Sequence, residues 1–234
     1  GSGYVVNESL PGTNERVRVS YHAETGRRTV LESGQGKPAQ NKANLSPDGK
    51  MRLISMRDNL RVRHLEKGLE YTLTEKYPDR DVFIRNPVWS PNGKKIAYIQ
   101  VDHSEVRRRT MLIPDDPSYP TIREVRFARV GEVIPTLRVG VVSVLGNGIE
   151  ETQWLAVPTP EEGIYLGQVS WAGNSNELLI EKFSRFRNER ECLLYDVRTE
   201  KFERIFHENE PAWVIASIAK NTGLEWIEDG RAFI

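Results

Sequence analysis

Asp102-His103-Ser104 sets an acid, an imidazole and a hydroxyl in consecutive positions, the three residue types of a nucleophilic relay. Neighbouring residues of an extended chain point to opposite faces, so these three cannot line up as acid, base and nucleophile, and the triplet reads as chance. Such a relay needs a serine on a sharp strand-to-helix turn, and no G-x-S-x-G occurs in the 234 residues. The four histidines, His22, His64, His103 and His207, stand at hairpins, loops or strand edges, where a solvated or locally hydrogen-bonded imidazole is expected. Cys192, in ECLLYDV, reads as a small apolar strand residue rather than a nucleophile; as the single cysteine it also excludes an intrachain disulfide.

Arg107-Arg108-Arg109 has the donors to hold a carboxylate or a phosphate. Asp102, Glu105, Asp115 and Asp116 lie nearby in the chain, so local pairing on a wet surface is expected. No Cys/His set has metal-ligand spacing, and Asp115-Asp116 before Pro117 reads as turn chemistry, so neither a metal nor a cofactor is expected. There is no G-x-x-x-x-G-K-[ST] loop for a nucleotide; Gly146-Asn147-Gly148 has strand-like flanks and reads as a hairpin turn. Lys plus Arg and Asp plus Glu both total 33, which leaves no net field to gather nucleic acid. The longest apolar run, Val139 to Leu145, is far short of the ~20 residues of a spanning helix, so no membrane span is expected. Asn7-Glu8-Ser9 and Asn44-Leu45-Ser46 match the glycosylation sequon as background.

Any functional side chain here must be positioned by a repeat. SPDGK begins at Ser46 and SPNGK at Ser90. In each, proline pre-sets one turn residue and Asp-Gly or Asn-Gly accepts the tight geometry that follows. Related signals begin at Trp171 (WAGNSNELLI) and Trp226 (WIEDGRAFI), with spacings of 44, 81 and 55 residues along the series. After SPNGK, Ile96, Tyr98 and Gln100 alternate with Ala97, Ile99 and Val101, the period of a strand. A second recurring element is an outer hairpin, as in LRVRHLEKGLEYTLT and CLLYDVRTEKFERIF.

Together these make units of four short antiparallel strands in about 40 to 50 residues, the size of a propeller blade. The chain is expected to be all-β: a β-propeller fragment of about four blades of four-stranded antiparallel sheet. The blade-like units fall near residues 4–45, 46–85, 86–170 and 171–225, with the start of the next at 226–234. Gly1-Ser2-Gly3 reads as a cloning scar, and the apolar strand halted at Ile234 leads us to expect a piece of a longer protein. The 81-residue interval holds an insertion from Asp102 to about Pro135, rich in charge and proline. Long interruptions of compact repeats are more often functional or interfacial than idle.

The ordered set WSPNGKKIAYIQVDHSEV, SYPTIREVRFARVGEVIPTLRVGVVSV, IYLGQVSWAGNSNELLI, LLYDVRTEKFERIF and LEWIEDGRAFI carries a resemblance. It resembles the N-terminal propeller domain of dipeptidyl peptidase IV-type serine peptidases of the prolyl oligopeptidase superfamily. The resemblance runs from about Val17 to the last residue and is strongest after Asn86. It implies a C-terminal α/β-hydrolase domain with a Ser-Asp-His triad, outside this chain, for which the propeller gates and selects peptide substrates. It also implies a homodimer and a periplasmic or extracytoplasmic location.

In that family two glutamates ahead of the SPNGK-like turn grip the substrate's amino group, and an arginine from a neighbouring blade holds its carbonyl. The corresponding stretch here, TEKYPDRDVFIRNPVW, contains no Glu-Glu. The glutamate role is carried onto none of Glu75, Asp79 or Asp81, and Asp79-Arg80-Asp81 is expected to be a self-neutralising surface turn. Arg57, in SMRDNLRV, is the residue onto which substrate binding is carried. The expected function is that of a non-catalytic propeller of a dipeptidyl peptidase-like protein, with no turnover by this chain alone. The alternative is a stand-alone propeller that binds a protein or peptide through its loops; a G-x-S-x-G farther along the natural chain separates the two.

Overall fold

The computed structural model describes residues 3–9, 16–22, 25–33, 44–55, 57–77, 81–114, 118–145, 148–214, 226–227 and 232–233. Its elements fall in two compact units, Gly1–Lys42 and Ala43–Ile234. The first unit is an antiparallel sheet of β1 (Gly3–Ser9), β2 (Arg16–His22) and β3 (Arg28–Ser33) in that order, with Val19 buried.

The second unit opens with β4 (Met51–Ser55), β5 (Leu60–His64) and β6 (Glu70–Thr72). Leu45 adds an isolated antiparallel bridge to Arg52 at the β4 edge. A four-stranded sheet follows, with β7 (Val82–Trp89), β8 (Lys95–Asp102), β11 (Thr136–Ser143) and β12 (Gln153–Trp154) in the order β12-β11-β8-β7. Between β8 and β11 the chain leaves to form a separate hairpin of β9 (Arg108–Ile113) and β10 (Thr121–Arg126). Next comes the meander β13 (Ile164–Trp171), β14 (Glu177–Ser184), β15 (Glu189–Asp196) and β16 (Lys201–Asn209). The short pair β17 (Trp226–Ile227) and β18 (Ala232–Phe233) is the last element. Among the described residues there is no α-helix, and no helix is long and apolar enough to cross a membrane.

The alternation in β8 explains the stacking of these sheets as propeller blades. Ile96 and Tyr98 join Leu53, Leu60 and Val62 in one apolar cluster. Ala97, Ile99 and Val101 join Val169, Leu178 and Ile180 in another. Both faces of β8 are therefore dry, and each fully buried Ile or Leu contributes about 1.5–3 kcal/mol.

The two turn motifs are the same structure written twice. In SPDGK, Ser46 Oγ donates to Asp48 Oδ1 at 2.6 Å and accepts from Met51 N at 2.9 Å, while Asp48 Oδ1 accepts from Lys50 N at 3.1 Å. In SPNGK, Ser90, Asn92, Lys94 and Lys95 repeat these bonds at 2.8, 2.9 and 3.0 Å. Gly49 and Gly93 take φ of 72° and 69°, a left-handed geometry that costs a side chain free energy. Each turn also meets the next blade: Asn92 N donates to Ser175 Oγ at 3.0 Å. Trp89 and Trp171, the last residues of β7 and β13, donate their indole N–H to Asn44 O and Val88 O, each 3.3 Å away in the preceding blade.

Candidate functional site

The start of β7 and the end of β8 lie side by side, Val82 opposite Asp102. This register brings Asp81, Val82 and Phe83 against Val101, Asp102 and His103: His103 N donates to Asp81 O at 2.9 Å. The turn between β4 and β5 reaches the same place, where Ile84 N donates to Arg57 O at 2.8 Å. Arg57, the residue singled out from sequence, holds its guanidinium 4.6 Å from the centre of the Phe83 ring. Such stacking supports the flat face of the guanidinium and leaves its N–H rim available to a carbonyl or carboxylate. The His103 ring lies 5.5 Å from Phe83, tilted by 38°. Burial lowers the His103 pKa, with the Asp81 charge acting in the opposite direction.

Asp81 is held by the inserted hairpin. Arg126 binds its carboxylate through Nε at 2.8 Å and Nη2 at 2.6 Å, and Arg108 Nη2 adds a contact at 3.1 Å. Arg126 Nη1 also donates to Val106 O at 2.7 Å, which ties the hairpin root to the turn after β8. The Arg126 hydrogen bond, then Arg108, hold the Asp81 carboxyl below the usual carboxylate range against the opposing cost of burial. These partners lie 45 and 27 residues away in the chain, whereas the sequence suggested a turn that neutralises itself. Asp79 and Arg80, the rest of that expected turn, lie outside the described residues, as do Asp115 and Asp116.

The other candidates are placed as follows. Asp102 Oδ1 accepts from Ser104 N at 2.8 Å, and no hydrogen bond among the described residues joins the His103 ring to Ser104. His64 Nδ1 accepts from Lys67 N within its hairpin at 3.4 Å, and His207 Nε2 meets Glu189 Oε1 at 2.8 Å. Cys192 is buried on β15, and burial pushes its thiol up to about 11, far from a nucleophile's range. Arg107 pairs with Glu132 and Arg108 with Asp81 and Glu124, acids brought in from elsewhere in the chain rather than the adjacent Asp102 and Glu105 that the sequence suggested. Phe83 and Arg126 escaped sequence reasoning. Phe83 sits in a strand pattern that reads as core, and nothing in Arg126's neighbours points to an acid 45 residues earlier.

The site rests on a braced strand pair. Both β7 and β13 carry a bulge, at Arg85/Val88 and Leu166/Val169. Arg85 Nη2 crosses between them to Leu166 O at 2.8 Å, while its buried Nε has no hydrogen-bond partner among the described residues. On the β13 side Glu181, 1% exposed, accepts from Gln168 N at 3.1 Å and from Arg190 Nε at 2.8 Å. Arg190 lies over Phe206 and meets Glu208 at 3.8 Å, so the buried carboxylate has its countercharge in place.

Residues 14–234 match the family model described as the dipeptidyl peptidase IV (DPP IV) N-terminal region. A probable dipeptidyl-aminopeptidase B of Phaeosphaeria nodorum is 24% identical over 196 residues, covering 71% of this chain and 21% of that protein. A dipeptidyl peptidase 4 of Arthroderma otae is 23% identical, over 62% of this chain and 20% of its own length. The chain thus spans about a fifth of these curated relatives. Among solved structures, Porphyromonas gingivalis dipeptidyl peptidase 4 superposes with a TM-score of 0.64 at 17% identity, over 91% of this chain and 32% of that one. A putative dipeptidyl aminopeptidase IV from Bacteroides ovatus gives 0.52 at 14% identity, over 90% and 39%. With a β-propeller architecture and a family match across all but the first 13 residues, this chain belongs to the dipeptidyl peptidase IV N-terminal region family.

Proposed function

We propose that this chain is the non-catalytic propeller of a dipeptidyl peptidase IV-like serine peptidase, and that it gates and selects peptide substrates for a C-terminal α/β-hydrolase domain. The family match over residues 14–234 carries this reading. Arg57 on its Phe83 support is the group that receives the substrate, by donating to a peptide carbonyl. Asp81 serves differently from a free acid that would grip an ammonium: its charge is balanced by Arg108 and Arg126, so substrate selection rests on donors more than on acceptors.

The test uses the natural full-length protein with short peptide substrates. Arg57→Ala is expected to raise KM about tenfold, with kcat changed less than twofold, the signature of a lost binding contact. Unchanged kinetics would return Arg57 to the surface. A homodimer is part of the same reading, supported by the β9–β10 ribbon, where Leu112 and Ile122 pair across the strands at 62% and 69% exposure.

A further inference from the structure

Four arginines converge at the root of the β9–β10 hairpin. Arg107, Arg108, Arg109 and Arg129 line a cavity of about 260 Å³ together with Phe127 and Glu132, whose carboxylate is the one acid in the wall among the described residues. Arg107 meets that acid at 3.5 Å, with 79% of the arginine side chain exposed, a pairing that solvent makes weak. Arg108 is engaged by Asp81 and, at 3.7 Å, by Glu124.

Arg109 and Arg129 differ from these two. The Arg109 guanidinium lies 5.6 Å from the centre of the Phe127 ring, which backs its flat face and leaves its N–H donors outward. Arg129 donates its backbone N–H to Glu132 Oε2 at 3.2 Å. Among the described residues, neither guanidinium has a hydrogen-bonded or ion-paired acid. Two open donor forks, with a third held only by a wet ion pair, are an excess of positive charge in one concavity of an otherwise neutral chain.

We propose that this cavity binds a compact oxyanion, held by the donors of Arg109 and Arg129, with Arg107 turning from Glu132 to join them. Carboxylate and phosphate share the planar pair of acceptor oxygens that a guanidinium fork matches. The oxyanion is supplied either by an acidic side chain of a bound peptide or by a free phosphate ion. The volume suits such a headgroup rather than a whole organic ligand, for which about 300–1,000 Å³ is usual. The site stands independently of the substrate-selecting reading, because it is tested by binding alone.

Calorimetric titration of the chain at low ionic strength is the test, with inorganic phosphate in one arm. The second arm uses a Glu-Glu-containing pentapeptide and its Gln-Gln counterpart. Saturable binding of phosphate or of the acidic peptide is expected, weakened at least tenfold by R109Q/R129Q. Arg123→Gln, which removes an exposed arginine of β10 outside the cavity, is expected to weaken it less than twofold. Phosphate binding alone identifies a free-anion site, and preference for the Glu-Glu peptide identifies a peptide-reading one. Absence of saturation with both probes, or equal weakening by Arg123→Gln and the double variant, overturns the proposal. Arg129→Gln alone replaces the double variant if circular dichroism shows the latter unfolded.

Discussion

The Asp81 carboxyl is held below the usual carboxylate range because Arg126 and Arg108 favour its charged form. In the unfolded chain the same group titrates near ~3.9. A depressed folded pKa gives stability that is complete above the unfolded pKa and is lost as the pH falls through the folded one. Asp81→Asn is therefore expected to lower stability at pH 7, on the order of 1 kcal/mol for a charged hydrogen bond near solvent. The deficit should shrink as the pH drops below about 4. Urea unfolding of parent and variant at pH 7 and pH 3 measures this, and an equal deficit at both would mean that the pairing contributes nothing. The residues read correctly from sequence are those whose partners are close in the chain. Ser46 and Ser90 bond to groups two and five positions away, so turn chemistry alone predicts them. Asp81 draws on residues of a hairpin that sequence periodicity does not reveal.

At the scale of elements, the bulges bring Arg85 and Glu181 together on one short stretch of β13. Gly167 stands in that bulge, and a Cβ there would lie 2.1 Å from Glu181 Oε2 and 2.8 Å from its carboxyl carbon. Gly167→Ala is expected to destabilise the protein by about 1–3 kcal/mol, because the buried carboxylate cannot withdraw without giving up its bonds from Gln168 N and Arg190 Nε. A melting temperature equal to the parent's would show that the bulge can yield. The strands of the blades were legible because alternation in β8 and the SPDGK-type turns are local signals. The β9–β10 hairpin was legible only as an interval too long for its repeat. Its strands RRTMLI and TIREVR mix arginine with apolar residues on exposed faces, so no buried face imposes a period on them.

Across the whole molecule, the chain spans about a fifth of its curated relatives, and its proposed work is selection rather than bond cleavage. Family membership followed from the order of motifs, while the partners of Asp81 did not, since they depend on which insertion folds back onto which strand. The exposed ribbon gives the proposed homodimer a testable interface. Replacing Leu112 and Ile122 together with Asp is expected to convert a dimer of the full-length protein to monomer by sedimentation velocity while leaving the fold intact. A dimer that persists would place the interface elsewhere.

The two indole bonds have a direction. Trp89 and Trp171 each close a first strand, and each finds its acceptor in a blade that precedes it in the chain. During synthesis from the N-terminus, the acceptor has already left the ribosome when the donor emerges. A new blade can thus latch onto its predecessor before its own outer strands are translated, which shortens the time that its apolar faces stand open to other chains.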